Sequence, residues 1–66
     1  MNWIDIKEQL PELKDGQSET VLGFYNENGR FYIGFFELDI DGITVFTEDS
    51  EHFVISITHW AKLTPP

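Results

Sequence analysis

Along the chain, apolar positions first recur at helical spacing and then, from Thr20, at a spacing of two. Trp3, Ile6, Leu10 and Leu13 make the helical set, but Pro11 interrupts it, and proline disfavours helix at the residue before it. Asp5 with Glu8 three residues on has the form of a capping box. The pattern therefore predicts a short helical turn over 5–10, followed by Leu-Pro and an exposed KDGQSE connector.

TVLGFYNE and RFYIGFFEL flank Asn28-Gly29, a dipeptide suited to a two-residue hairpin because both central positions can take positive φ. Counting outward from that turn sets Glu27 opposite Arg30, Tyr25 opposite Tyr32 and Gly23 opposite Gly34. One face then carries Leu22, Phe24, Phe31, Ile33 and Phe35, the expected core. The other carries Val21, Tyr25, Tyr32 and Phe36 around a glycine floor, a shallow trough in which Tyr25, Tyr32, Gly23 and Gly34 form a candidate ligand site.

A third strand, ITVFT, follows Gly42, and HFVISITHW reads as a fourth after an EDSE connector. The expected fold is a mainly β, small α+β domain spanning 1–66. Its sheet is a four-stranded antiparallel meander, strongly twisted or forming a partly closed barrel, with the short N-terminal helical turn. Apolar residues on the second strand sit at odd positions before Phe35 and at even ones from Phe36. A bulge near Phe35-Phe36, or a longer turn around Asp41, accounts for the switch.

Residues 37–48, ELDIDGITVFTE, place Glu37, Asp39, Asp41, Gly42 and Glu48 at the ligand and glycine positions of a calcium loop. Such a loop lies between helices, whereas both flanks here are aromatic and β-branched. Asp41-Gly42 is also a turn dipeptide, and an ordinary hairpin turn is the better reading.

Twelve acidic side chains stand against four basic ones, a net charge of −8. Residues 31–61 hold six acids, Glu37, Asp39, Asp41, Glu48, Asp49 and Glu51, and no lysine or arginine. Such a field repels phosphate backbones and anionic membranes and attracts basic surfaces, so direct binding to nucleic acid or membrane is disfavoured. There is no cysteine, no basic leader and no apolar run near the roughly 20 residues that span a bilayer, which suggests a soluble, cytoplasmic protein. A glycine-rich phosphate loop and a Ser-His-acid spacing are both missing, and His52 and His59 fall on opposite faces of an ideal strand. Neither enzyme activity, nor a metal, nor a cofactor is expected.

NWIDIKEQLPE and ITHWAKLTPP, with Trp3, Ile4, Leu10, Pro11, Val21, Leu22, Thr58, His59, Trp60, Pro65 and Pro66, resemble the ends of a family of small phage and prophage proteins, the domain-of-unknown-function family 551. Ala61-Lys62 replaces a Met-Pro pair common there, and the connector after Pro11 is long. The resemblance implies a phage or prophage origin and carries no catalytic residues. Trp3 and Trp60 are expected to pack against each other or over the glycine trough, with His59 bonded to the N-terminal segment.

Two functional classes follow. One is a stoichiometric binder of a bacterial host protein with a basic surface, such as a nuclease or CRISPR complex blocked by an acidic mimic, with the six acids at 37–51 as contact residues. The other is a small-ligand or nucleotide sponge built on the tyrosine trough, with Lys7, Lys14, Arg30 and Lys62 the bases available to phosphates. Self-association through a strand edge or the tyrosine face, as a homo-oligomer or structural accessory protein, is compatible with the first.

Overall fold

A computed structural model describes residues 2–50 and 53–63. It contains six strands, β1 (Ile4–Asp5), β2 (Val21–Tyr25), β3 (Arg30–Leu38), β4 (Thr44–Glu48), β5 (Val54–Ile55) and β6 (His59–Lys62). They form one open antiparallel sheet in the order β1-β6-β2-β3-β4-β5. The fold is mainly β, as expected, but it has six strands in place of four and no helix among the described residues. The expected helical turn is replaced by β1 and a tight turn. The Glu8 and Gln9 N–H groups donate to the Asp5 carbonyl, and the Lys7 N–H donates to Asp5 Oδ1 at 2.8 Å. Pro11 leaves too little chain for a helix, and pairing of Ile4 with Trp60 satisfies the backbone instead.

HFVISITHW is also not one strand. Its first part pairs with β4, and its last part crosses to the far side of the sheet and pairs with β2 and β1. Thr58 fixes the crossing. Its N–H donates to the Phe24 carbonyl at 2.8 Å, and its carbonyl accepts the Ile6 N–H at 3.0 Å. Ile57, immediately before it, is buried in the core.

The β2–β3 register differs from expectation by two residues. Tyr25 pairs with Arg30, Gly23 with Tyr32 and Val21 with Gly34, so the glycines do not face each other. The connection is a four-residue loop, 26–29. Gly29 has φ +66°, Asn28 is not in the positive-φ region, and Asn28 Oδ1 accepts the Arg30 N–H. The two-residue turn with both residues at positive φ occurs instead at Asp15-Gly16 (φ 54° and 82°), within the expected connector. There Lys14 and Gln17 exchange backbone bonds, and residues 16–18 lie along the end of β3.

A slip of two preserves which residues share a face, but the buried face is the opposite of the one expected. Val21, Gly23, Gly34 and Phe36 point inward, whereas Phe31 and Ile33 on the other face are 60% and 54% exposed. The sheet encloses a core of Val21, Phe36, Phe46, Ile57 and Trp60, to which Ile4 of β1 and Ile55 of β5 both contribute. Its concave side has little room, and the two glycines admit large rings there. A Cβ on Gly23 would lie 3.0 Å from Phe46 Cζ and 3.1 Å from Ile57 Cδ1. Phe36 packs edge-on to Phe46 and Trp60. The β3–β4 register runs unbroken from Gly34–Glu48 to Leu38–Thr44, so there is no bulge at Phe35-Phe36. Even positions from Tyr32 to Phe36 face inward, and the odd-numbered aromatics are simply outside.

Candidate functional site

The trough does not exist as an open site, because its floor is filled from within. Phe46 and Ile57 lie over Gly23, and Phe46 together with the Thr47 backbone closes over Gly34. Tyr32 is half-buried against the core, its hydroxyl accepting from Asn28 Nδ2 at 3.1 Å. The Tyr25 hydroxyl donates to Glu27 Oε2 at 2.6 Å. That bond to a carboxylate, aided by partial loss of water and the charge itself, holds the Tyr25 hydroxyl above the usual tyrosine range. The two tyrosines are thus occupied with the β2–β3 loop.

The acids of the second half form two groups rather than one surface. Glu37, Asp39 and Asp41 lie at one end of the β3–β4 hairpin, Glu48 and Asp49 at the other, and β4 between them is about 17 Å long at roughly 3.4 Å per residue. Glu51 lies outside the described residues, as do His52, Pro65 and Pro66. Three of the acids hold their own turns or strands. Asp39 Oδ1 accepts the N–H groups of Asp41 and Ile43 at 2.8 and 2.9 Å, closing a turn in which the Gly42 N–H donates to the Asp39 carbonyl and Gly42 has φ +78°. Glu37 Oε2 accepts from Thr47 Oγ1 at 2.6 Å, and Glu48 Oε1 from Ser50 Oγ at 3.1 Å. The hairpin turn expected at Asp41-Gly42 is therefore present. No group of three or more potential metal ligands occurs among the described residues.

Apolar side chains are left exposed on the outer face of the sheet, and also at Ile40 and Ile43 in the β3–β4 turn and at Phe53. Trp3, Phe24 and Phe31 form a triangle of rings with centroids 5.3–5.7 Å apart, Trp3 and Phe31 nearly parallel at 23°. Trp3 and Trp60, expected against each other or over the glycine trough, lie on opposite faces; Trp60, paired with Gly23, is buried with its indole N–H on the Gln9 carbonyl. The outward alternation extends the patch through Leu22 and Ile33, with Val54 beyond them on β5. His59 lies against Phe24 at 6.2 Å.

Acids border this face, and no lysine or arginine of a strand points onto it. Asp5 pairs with His59 on one side, the Asp49 N–H donates to the Ile33 carbonyl on the other, and Glu37 follows along β3. Asp5 Oδ2 lies 3.9 Å from His59 Nε2, the one contact at ion-pair distance among the described residues. Asp5, His59 and Thr58 are adjacent: Thr58 Oγ1 accepts the Asn26 N–H at 3.0 Å and lies 3.2 Å from the Phe24 carbonyl and 2.8 Å from His59 Nδ1.

An open cleft of about 600 Å³ lies between the connector and β6. Lys14, Lys62, Glu12 and Glu19 are among its lining residues, so its formal charges balance. Among the described residues, no helix is long and apolar enough to cross a membrane. The exposed face was hidden from pattern reading because its residues have the composition of a core. The legible clue was that both faces of β3 are apolar, more than one small core can bury. Compared with protein-family models, curated proteins and solved structures, the chain matches none.

Proposed function

We propose that this chain is a non-enzymatic binding protein that docks onto another protein, one to one, through the outer face of its sheet. The observation that carries this reading is the exposure of Phe31 (60%) and Ile33 (54%) beside the Trp3–Phe24 rings. An antiparallel sheet with one wet face normally carries polar residues there. Contiguous apolar patches on small proteins mark contact surfaces. The charge of −8 and the acid border favour a partner with a basic surface. The likeness of the chain ends to small phage and prophage proteins supports a setting in which such a binder acts on a bacterial protein, as an inhibitor of host or defence machinery. Glu37 and Asp49 serve as rim contacts, while Asp39 and Asp41 act mainly through their field.

The test is affinity capture from a bacterial lysate with the wild-type chain and with Ile33→Asp. A basic protein held by the wild type and absent with the variant is the expected result. Equal recovery with both would place the contact elsewhere and overturn the reading.

A further inference from the structure

We propose that the Trp3–Phe24–Phe31 platform receives an arginine side chain of the basic partner, with Asp5 as its counter-ion. The inference rests on the outer face being the docking surface and adds the chemistry of what meets it.

The three rings offer a broad π surface whose outermost member, Phe31, is more than half exposed. A cation over such rings is attracted by their quadrupoles. Guanidinium suits the place better than ammonium, because it is planar, stacks on aromatic faces and gives up water more readily. The register puts Asp5, His59, Phe24 and Phe31 in one row across four strands, with Trp3 two residues before Asp5. Asp5 has one oxygen on the Lys7 N–H, and the other faces His59 at 3.9 Å, beyond hydrogen-bond distance. That second oxygen is free to accept from a guanidinium. A protonated His59 competes for it, and Lys7 follows two residues on in the adjoining turn.

Charge selects among occupants. A second copy would bring another −8 and the same acid border, so pairing of two such faces is opposed at low salt and eased by screening. Phosphates and anionic lipid headgroups are repelled for the same reason. A basic protein surface meets the opposite conditions, since its attachment is strongest at low salt.

The experiment is an NMR titration of the intact chain with octa-arginine and with octa-lysine amide, at low and raised salt. Octa-arginine is expected to bind about fivefold or more tightly, the order of one cation–π contact, and to shift the Trp3, Phe24 and Phe31 ring signals while the buried Trp60 indole stays in place. Phe31→Leu should bring arginine binding down to the lysine level. Asp5→Asn should weaken arginine binding without disturbing the rest of the spectrum. Equal affinities, with shifts spread over residues 39–42 and 48–50, would show diffuse electrostatics and overturn the proposal, as would no binding at low salt. Dimers that strengthen as salt rises would identify a second copy as the occupant. Loss of arginine preference while Ile33→Asp still abolishes capture removes this inference alone; failure of both removes the docking reading as well.

Discussion

Replacing Gly34 with alanine is the sharpest test of which side of the sheet is the interior. An added Cβ would overlap the Thr47 carbonyl oxygen, well inside the contact distance of the two atoms, and would lie 2.8 Å from Phe46 Cζ. The ring can swing away, but the Thr47 carbonyl belongs to the β4 backbone, so β3 and β4 must separate locally. Overpacking costs about 1–3 kcal/mol and each ladder hydrogen bond lost about 1 more, against a gain of about 0.5–1 from relieving a strand glycine. The net is about 2–4 kcal/mol. A chain of this length has a total stability of about 3–10 kcal/mol, so a large part of it is lost. Gly23→Ala is the control. Its Cβ meets only the ends of Phe46 and Ile57, at 3.0 and 3.1 Å, and a net cost under about 1 kcal/mol is expected. Urea unfolding of both variants, alone and combined with Phe46→Leu, separates the two causes. Phe46→Leu should couple favourably to Gly23→Ala and leave most of the Gly34→Ala penalty in place. If the glycines floored an open trough, both alanines would be neutral or stabilising, and that result would refute the inward assignment.

Two further outcomes follow from the turns. Asp39→Ala removes the acceptor for two backbone N–H groups and should lower stability by about 1 kcal/mol, as loss of a capping side chain does; millimolar calcium should leave the wild-type melting temperature unchanged, and a clear rise would revive the calcium loop. The Tyr25 hydroxyl donates to Glu27 and titrates above the usual tyrosine value, so what it contributes is fully present below pH 10 and is lost as pH rises through the raised value. Ultraviolet titration should show one tyrosine ionising late, and Tyr25→Phe should abolish that late phase; a late phase that survives the substitution would contradict the assignment.

Much of the sheet is legible in the chain. The period-two runs locate β2, β3 and β4, and the partition of β2 and β3 into two faces survives a register different from the simplest one, because a shift of two keeps every side chain on its side. What the pattern does not contain is the sign of the curvature. Leu22, Phe24, Phe31, Ile33 and Phe35 outweigh the opposite face in apolar bulk, yet a tightly coiled sheet needs small residues on its concave side, and Gly23 and Gly34 supply them. The side chains that fill that space come from Phe46, Ile57 and Trp60, distant in sequence, so local counting could not place them. Trp3 and Trp60 were separated for a related reason: pairing of β1 with β6 sets Ile4 beside Trp60 and leaves Trp3 to the outer rings. Turn chemistry was only partly readable. Asp15-Gly16 takes the tight two-residue turn, while Asn28 spends its side chain on the Arg30 N–H and opens a four-residue loop. The acid-rich stretch suggested one surface, but hairpin geometry divides it between two ends of β4.

The central claim is that the apolar outer face, more than the acidic turns, holds the partner. It is tested most directly by measuring Kd for the captured protein with the wild type, with Ile33→Asp and with Asp41→Lys at several salt concentrations. Ile33 is already more than half exposed, so the free Ile33→Asp chain should stay folded. Its affinity should fall by at least about tenfold, the scale of a contact residue worth more than 1 kcal/mol. Asp41→Lys should change mainly the salt dependence, and binding of the wild type should weaken as salt rises. An Ile33→Asp affinity equal to wild type, with binding abolished by Asp41→Lys, would contradict the account and move the contact surface to the acidic turns.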